Sequence, residues 1–221
     1  MNTPTLYQRV HFLSYVVFPF AVVMLMLVFL FGCQQKKEPP KAQEPTITLE
    51  NLQTAYAKAV RYNFMYSKFA PQALKEKNKE IYNLYLAIAR SEQVHADQHA
   101  TLLRSKGIEP KQPSIDSVSV GTLLQTIKMA LSSEEIETMS MYPNIMRAAE
   151  AEKFTAAFEQ FQFCMDGDER QEELLKDAQD HNGKIKVTQF SVCPLCGYIV
   201  TSAEPEECPT CKTKKDKFIV I

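Results

Sequence analysis

The sequence predicts a mainly α protein: a four-helix bundle with one long crossover, followed by a small four-cysteine metal knuckle domain. Three observations predict it. From Leu49 to His181 the only glycines are Gly107, Gly121 and Gly167, set among helix formers with apolar residues at three- and four-residue steps. Pro110 and Pro113 interrupt the middle of this region in a stretch better suited to a crossover than to a tight hairpin. Near the C-terminus, Cys193-Pro-Leu-Cys196 and Cys208-Pro-Thr-Cys211 repeat a C-x2-C spacing that can close a tetrahedron of thiolates around one ion.

Taken in order, residues 1–33 carry no acidic residue and a single Arg9, then an apolar run from Tyr15 to Phe31 that ends Gly32-Cys33. This is the pattern of an export signal. The run is near the lower limit for spanning a bilayer of roughly 30 Å, and Pro19 weakens an unbroken helix, so a retained anchor is the second choice. The segment resembles the bacterial lipobox, which implies lipidation of Cys33 and an extracytoplasmic, membrane-anchored protein. Residues 34–48 are polar and Pro-rich and read as a flexible tether. The bundle is expected over 49–182 and the knuckle over 187–221.

The four helices are expected at about Glu50–Ala73, Asn78–Ser105, Val120–Ala149 and Glu152–Asp180. Phe154, Phe158, Phe161 and Met165 have helical spacing and read as core, as does Cys164 among them. The charge balance, 25 Lys+Arg against 26 Asp+Glu, supplies no basic face for nucleic acid.

Glu92 and His95 stand three residues apart, so they project from one helix face about a turn apart, and Glu134 and Glu137 repeat that spacing on the next helix. Such pairs are commonly a solvated face. As metal ligands, hard carboxylates with one imidazole suit iron or manganese.

The motifs Glu92-Gln-Val-His95 and Glu134-Glu-Ile-Glu137-Thr-Met-Ser-Met-Tyr142-Pro143, with the terminal cysteines, resemble the rubrerythrin family over residues 49 to 221. That resemblance implies a ferritin-like bundle with a di-iron centre and a rubredoxin-like C-terminal domain. The family pattern supplies a Glu from the first helix, Glu-x-x-His from the second, Glu-x-x-Glu from the third and Glu-x-x-His from the fourth. Here the first-helix position falls on Ala59, with no Asp, Glu or His between Glu50 and Glu76, and the fourth-helix pair falls on Asp168 and Gln171. Glu169 and Glu172 are one residue out of register, Gly167 offers a local helix distortion, and His99 is expected at the surface. The resemblance thus implies metal ligation by Glu92, His95, Glu134, Glu137 and Asp168, with fewer than two tightly held ions. The first four carry the catalytic roles, His95 and Glu137 being the positions that exchange as ligands with redox state.

In the knuckle, Cys193, Cys196, Cys208 and Cys211 are expected to bind iron, with zinc as the structural alternative and two disulfides as the bland one. Tyr198 and Phe218 read as its aromatic core. The resemblance places Gly after each second Cys, which Gly197 satisfies and Lys212 does not. The function implied is hydrogen peroxide reduction by a non-haem iron peroxidase, fed by a redox donor through the four-cysteine iron, in a homodimer. Competing with it is a tethered metal-binding or electron-carrying module whose bundle site has decayed, and more weakly an iron store.

Overall fold

The computed structural model describes residues 46–115, 117–187, 189–201 and 206–221. The leader, Cys33 and the tether up to residue 45 lie outside the described residues. No helix among the described residues is long and apolar enough to cross a membrane.

Helix α1 (Thr46–Lys75) pairs along its length with α2 (Lys79–Ser105). The turn between them puts Lys77 at φ +59°, and the Asn78 side chain accepts the Ile81 N–H at 2.9 Å, an N-cap worth about 1 kcal/mol. The chain then crosses over through 106–122 to α3 (Leu123–Ile136), which Thr122 and Gln125 open with a capping box. A five-residue π-helical segment, Glu137–Met141, joins α3 without a break to α4 (Tyr142–Ala151). Within it the Tyr142 N–H reaches back five residues to Glu137 O. Pro143 follows at once, and lacking an N–H it cannot continue the regular ladder, so the wider turn falls where that ladder is already weakened. After a left-handed Lys153 (φ +57°), α5 (Thr155–Asp180) completes the bundle.

The start of the first helix and the interior of the third differ most from expectation. Helix α1 begins at Thr46 rather than near Glu50 because Glu152, far along the chain, accepts the Ile47 and Thr48 N–H groups at 3.2 and 2.8 Å. A cap supplied from over a hundred residues away leaves no local signal. The third helix reads as one rod, but the π segment inside it shifts the side-chain phase beyond Glu137.

The core divides in two. Toward the α1–α2 turn, Tyr66, Phe69 and Tyr85 pack as a fully buried aromatic group with Ile81, Leu84, Ile88, Ile127 and Leu175. Each contributes on the order of 1.5–3 kcal/mol through burial. Toward the far end, Leu52, Tyr142, Phe161 and Cys164 form the second cluster, with Phe154, Phe158 and Met165 packed on its edge as expected.

The C-terminal unit is a three-stranded antiparallel sheet of β1 (Phe190–Val192), β2 (Ile199–Thr201) and β3 (Ile219–Val220), in the order β2-β1-β3. Phe190, Val192 and Ile199 turn into the bundle's first core cluster. Val200, Phe218 and the partly buried Tyr198 surround the cysteines, joined by Phe163 from α5. The knuckle is therefore seated on the bundle of its own chain.

Candidate metal centres

The four knuckle cysteines come together with their sulfurs within 4.8 Å of one another. Cys193 and Cys211 are 3.4 Å apart, as are Cys196 and Cys208, and all four are free thiols. These separations exceed the roughly 2.05 Å of a disulfide. They approach the ~3.8 Å edge of a tetrahedron with metal–sulfur bonds of about 2.3 Å. Each knuckle closes with a backbone bond to the carbonyl of its first cysteine, from Gly197 N and from Lys212 N, both at 3.0 Å. Gly197 sits at φ +78° and Lys212 at φ +62°. Lys212 thus holds the backbone shape that glycine would hold, at a conformational cost of about 1–2 kcal/mol, and its Nζ bonds Pro209 O at 2.7 Å.

In the bundle, Glu92, His95, Glu134, Glu137, Asp168 and Gln171 all turn inward and are buried. Their oxygen and nitrogen atoms form two three-residue groups, Glu92–His95–Asp168 and Glu134–Glu137–Asp168, which share Asp168. The solvated-face reading of these pairs is thereby corrected. The fourth-helix register is the ungapped one: Asp168 and Gln171 face the centre, while Glu169 points to solvent and Glu172 accepts a hydrogen bond from Thr138 at 3.0 Å. Gly167 does not distort α5, which is continuous across it. A Cβ there would stand 3.0 Å from His95 Nε2, so the glycine makes room for the imidazole.

His95 connects the two centres. Its Nε2 lies 3.2 Å from Cys196 O, and because a carbonyl only accepts, Nε2 carries the hydrogen. Its Nδ1 then faces Asp168 Oδ1 at 3.4 Å and Glu92 Oε1 at 3.5 Å. A lone pair aimed at two carboxylates is repulsive unless a proton or a metal ion lies between them. In the metal-free protein burial opposes a charge on His95, but the facing carboxylates, Asp168 foremost, prevail and raise its pKa. Ser91 secures the contact by donating to Gly197 O at 2.6 Å, and a Cβ on Gly197 would meet His95 Nε2 at 2.5 Å.

Burial penalises charge throughout the cluster. It drives the Glu134 carboxyl well above the usual range, reinforced by Asp168 and Glu92, and brings Asp168 up to about 6. Burial also acts on Glu92, yet the facing His95, the Lys58 charge and the Gln171 hydrogen bond together outweigh it and hold Glu92 below its ordinary value. Glu134 Oε2, Glu137 Oε1, Asp168 Oδ2 and His95 Nδ1 have no hydrogen-bond partner. Buried carboxylate oxygens left in this state cost several kcal/mol, which a divalent cation would offset. The donor set fits a hard ion with oxygen and imidazole preference.

Sequence reasoning missed several members of this site. Tyr66 donates its hydroxyl to Glu134 Oε1 and the Tyr142 hydroxyl lies beside Asp168, while Gln171, which the counting did place in the site, donates from Nε2 to Glu92 Oε1 and Asp168 Oδ1, both at 3.1 Å. Lys58 reaches in from α1, its ammonium on Glu137 and 3.9 Å from Asp168 Oδ2. Ala59 is buried in the apolar cluster and contributes no donor. His99 is buried rather than exposed, with Nε2 3.6 Å from the Cys164 sulfur. Burial pushes it down to about 3, so it is neutral and lies outside both carboxylate groups.

The profile of a family described as Rubrerythrin matches residues 50–179, and one described as Rubrerythrin, rubredoxin-like domain matches residues 192–219. Rubrerythrin-2 of Clostridium acetobutylicum is 27% identical over 175 residues, covering 78% of this chain and 95% of that protein. Nigerythrin of Nitratidesulfovibrio vulgaris is 28% identical over 171 residues, covering 77% and 85%. Among solved structures, nigerythrin in its fully reduced, all-ferrous state aligns with a TM-score of 0.72 at 26% identity, covering 85% of this chain and 91% of that one. A bacterioferritin of Desulfovibrio desulfuricans shares the fold alone, with a TM-score of 0.59 at 15% identity over 65% of this chain and 91% of that one.

Proposed function

The chain belongs to the rubrerythrin family, and on that premise we propose that it reduces hydrogen peroxide at the bundle, with electrons entering through iron held by Cys193, Cys196, Cys208 and Cys211. The family and the four-cysteine site together imply iron, and the matches support a non-haem iron oxidoreductase of the rubrerythrin type. Converting one peroxide to two waters takes two electrons and two protons; a one-electron redox donor supplies the electrons through the knuckle, and solvent supplies the protons.

The observation that carries the reading is His95, with one ring nitrogen on the Cys196 carbonyl and the other on the Glu92–Asp168 pair. Iron in the bundle would supply electron exchange with peroxide. Glu92, His95 and Asp168 would hold it, with Glu134 and Glu137 on the other side of Asp168. Gln171 orients Glu92 and Asp168 through its amide, and Tyr66 fixes Glu134. With Ala59 and Gln171 in place of a carboxylate and an imidazole, the bundle is expected to keep fewer than two ions tightly.

The test is to reduce the full-length protein, mix it with hydrogen peroxide, and follow return of the knuckle iron's visible colour. His95→Ala should slow that return roughly 10–100-fold, the usual effect of disturbing a metal site. Equal rates in wild type and His95→Ala would instead support a metal-binding electron carrier without bundle catalysis. Gln171 and Lys58 inside the carboxylate cluster favour that second reading. A colourless knuckle holding zinc would remove the electron route altogether.

Attachment of the protein to the outer face of a membrane through a lipid on Cys33 is part of the proposal. Cys33→Ser should leave an unprocessed precursor, and normal processing of that variant would defeat it. Assembly as a homodimer is likewise proposed, to be read from the mass of the purified protein in solution.

A further inference from the structure

We propose that the Lys58 ammonium is a built-in cation that takes the place of a second metal ion in the bundle, leaving Glu92–His95–Asp168 as the one metal site. This deepens the peroxide-reducing reading and rests on the bundle holding metal at all.

The argument begins with the two groups of inward donors that share Asp168. A carboxylate common to two such groups is the layout of a paired site, and each group keeps an oxygen or nitrogen that is fully buried and unpartnered: His95 Nδ1 in the first, Glu134 Oε2 in the second. The groups nevertheless differ in what already fills them. Among the described residues no lysine or arginine is ion-paired with Glu92 of the first group, which faces His95 instead. Lys58 lies on Glu137 and within 3.9 Å of Asp168 Oδ2, two of the three members of the second group.

Lys58 is held there and is not a surface lysine folded over by chance. Its side chain is only 17% exposed, and its ammonium lies 4.9 Å from the Tyr62 ring centre and 5.3 Å from that of Tyr142, so two aromatic faces flank the charge. The position on α1 also matters. Lys58, Tyr62 and Tyr66 recur every four residues on one face, and Tyr66 ends that face with its hydroxyl on Glu134. One helix thus presents a cation and a hydrogen-bond donor to the same carboxylate group, from the helix that at Ala59 contributes no carboxylate. A dication bound by Glu137 and Asp168 would sit within a few ångströms of the ammonium that lies on Glu137 and faces Asp168, and the two positive charges would repel.

The exchange also explains how the cluster tolerates burial. An ammonium on a four-carbon stem cannot dissociate, so Glu137 and Asp168 keep a counter-charge whether or not metal is available. What Lys58 removes is the second redox-active position.

The test uses the full-length chain with its knuckle first filled with zinc, so that added Mn(II), a poor competitor for thiolates, reports on the bundle alone. Wild type should bind one Mn(II) per chain with the resonance of an isolated ion. Lys58→Met should bind two, and their coupling through Asp168 should replace the isolated-ion signal in electron paramagnetic resonance. Without metal, Lys58→Met should melt below wild type, and Mn(II) should raise its melting temperature more than it raises that of wild type. Lys58→Gln, which keeps a polar neighbour for Glu137, is the second variant should Lys58→Met fail to fold, and Lys58→Arg should stay at one ion. An unchanged stoichiometry on removing the Lys58 charge overturns the inference while leaving the proposed function intact. Two ions in wild type overturn it together with the expectation of fewer than two, and no binding in any variant overturns the metal reading of the bundle as a whole.

Discussion

The knuckle and the bundle centre are both built to hold a cation, but they gather their ligands in opposite ways. The knuckle takes four like thiolates from two short turns, each closed by its own backbone bond, so its geometry is written within a few residues of each cysteine. The bundle takes unlike donors from α2, α3, the π segment and α5, and admits a lysine from α1 among them. A local site fails or survives as a unit. A distributed site can lose one ligand, gain a counter-charge, and still keep its fold, because the apolar clusters on either side of it carry the stability.

The largest expected effect breaks the knuckle. Cys208→Ser, or a strong chelator, should unfold residues 190–221, since metal binding in such domains supplies about 10–16 kcal/mol of the folding free energy. Hydrogen exchange should show loss of protection confined to that region while α1 to α5 stay protected. Loss of bundle protection as well would show that the two sites are not separable in this way.

Next comes the contact between them. Gly197→Ala forces a side chain into φ +78° and places its Cβ 2.5 Å from His95 Nε2. Strain and overpacking together should cost roughly 2–4 kcal/mol. The thiolates should still bind metal with an unchanged visible spectrum, while electron transfer to the bundle slows. An unchanged transfer rate would mean that the His95–Cys196 contact carries none of it.

How much of each site was legible follows the same division. Cys193, Cys196, Cys208 and Cys211 were readable from spacing because their geometry is local. Glu92, His95, Glu134 and Glu137 were readable as spaced pairs, and ungapped counting found Asp168, because α5 is unbroken across Gly167. Lys58 was not legible. A lysine one position from Ala59 on an amphipathic helix reads as solvent-facing, and only the four-residue step to Tyr62 and the buried Tyr66 hints otherwise. The start of α1 depended on Glu152, and the burial of His99 on Phe161 and Cys164 packing around it, all long-range facts. Lys212 misled in the other direction: the sequence departs from glycine while the backbone does not.

The bundle centre can be moved toward the knuckle's completeness. Gln171 Nε2 bonds Glu92 and Asp168, so Gln171→His would put an imidazole where an amide now spans two ligands. Together with Ala59→Glu this should tighten Mn(II) binding roughly 10–100-fold and raise occupancy, read by titration. Wild type already carrying two full equivalents, with peroxide turnover unmoved by the changes, would defeat the incomplete-site reading.

The remaining effect is the pH dependence, and it separates the metal-free bundle from the loaded one by the sign of the response. In the metal-free protein burial, aided by Glu92, raises Asp168 to about 6, while the carboxylates facing His95 raise that imidazole above its ordinary 6.5. Both groups therefore bind protons more tightly folded than unfolded. Their stabilisation of the metal-free fold is complete at low pH and is lost as pH rises, through about 6 for Asp168 and higher for His95. Metal binding must displace the same protons. Affinity for Mn(II) should thus rise with pH, by up to about a hundredfold per unit below 6, where two protons leave, and about tenfold per unit just above it, where only the His95 proton remains. Melting curves from pH 5 to 7.5, with and without Mn(II) and with zinc held in the knuckle, should diverge: the metal-free curve falls and the loaded curve rises. Parallel curves would mean that the ion, if it binds, avoids Asp168 and His95, and the bridge those residues make between the two centres would then have no part in metal binding.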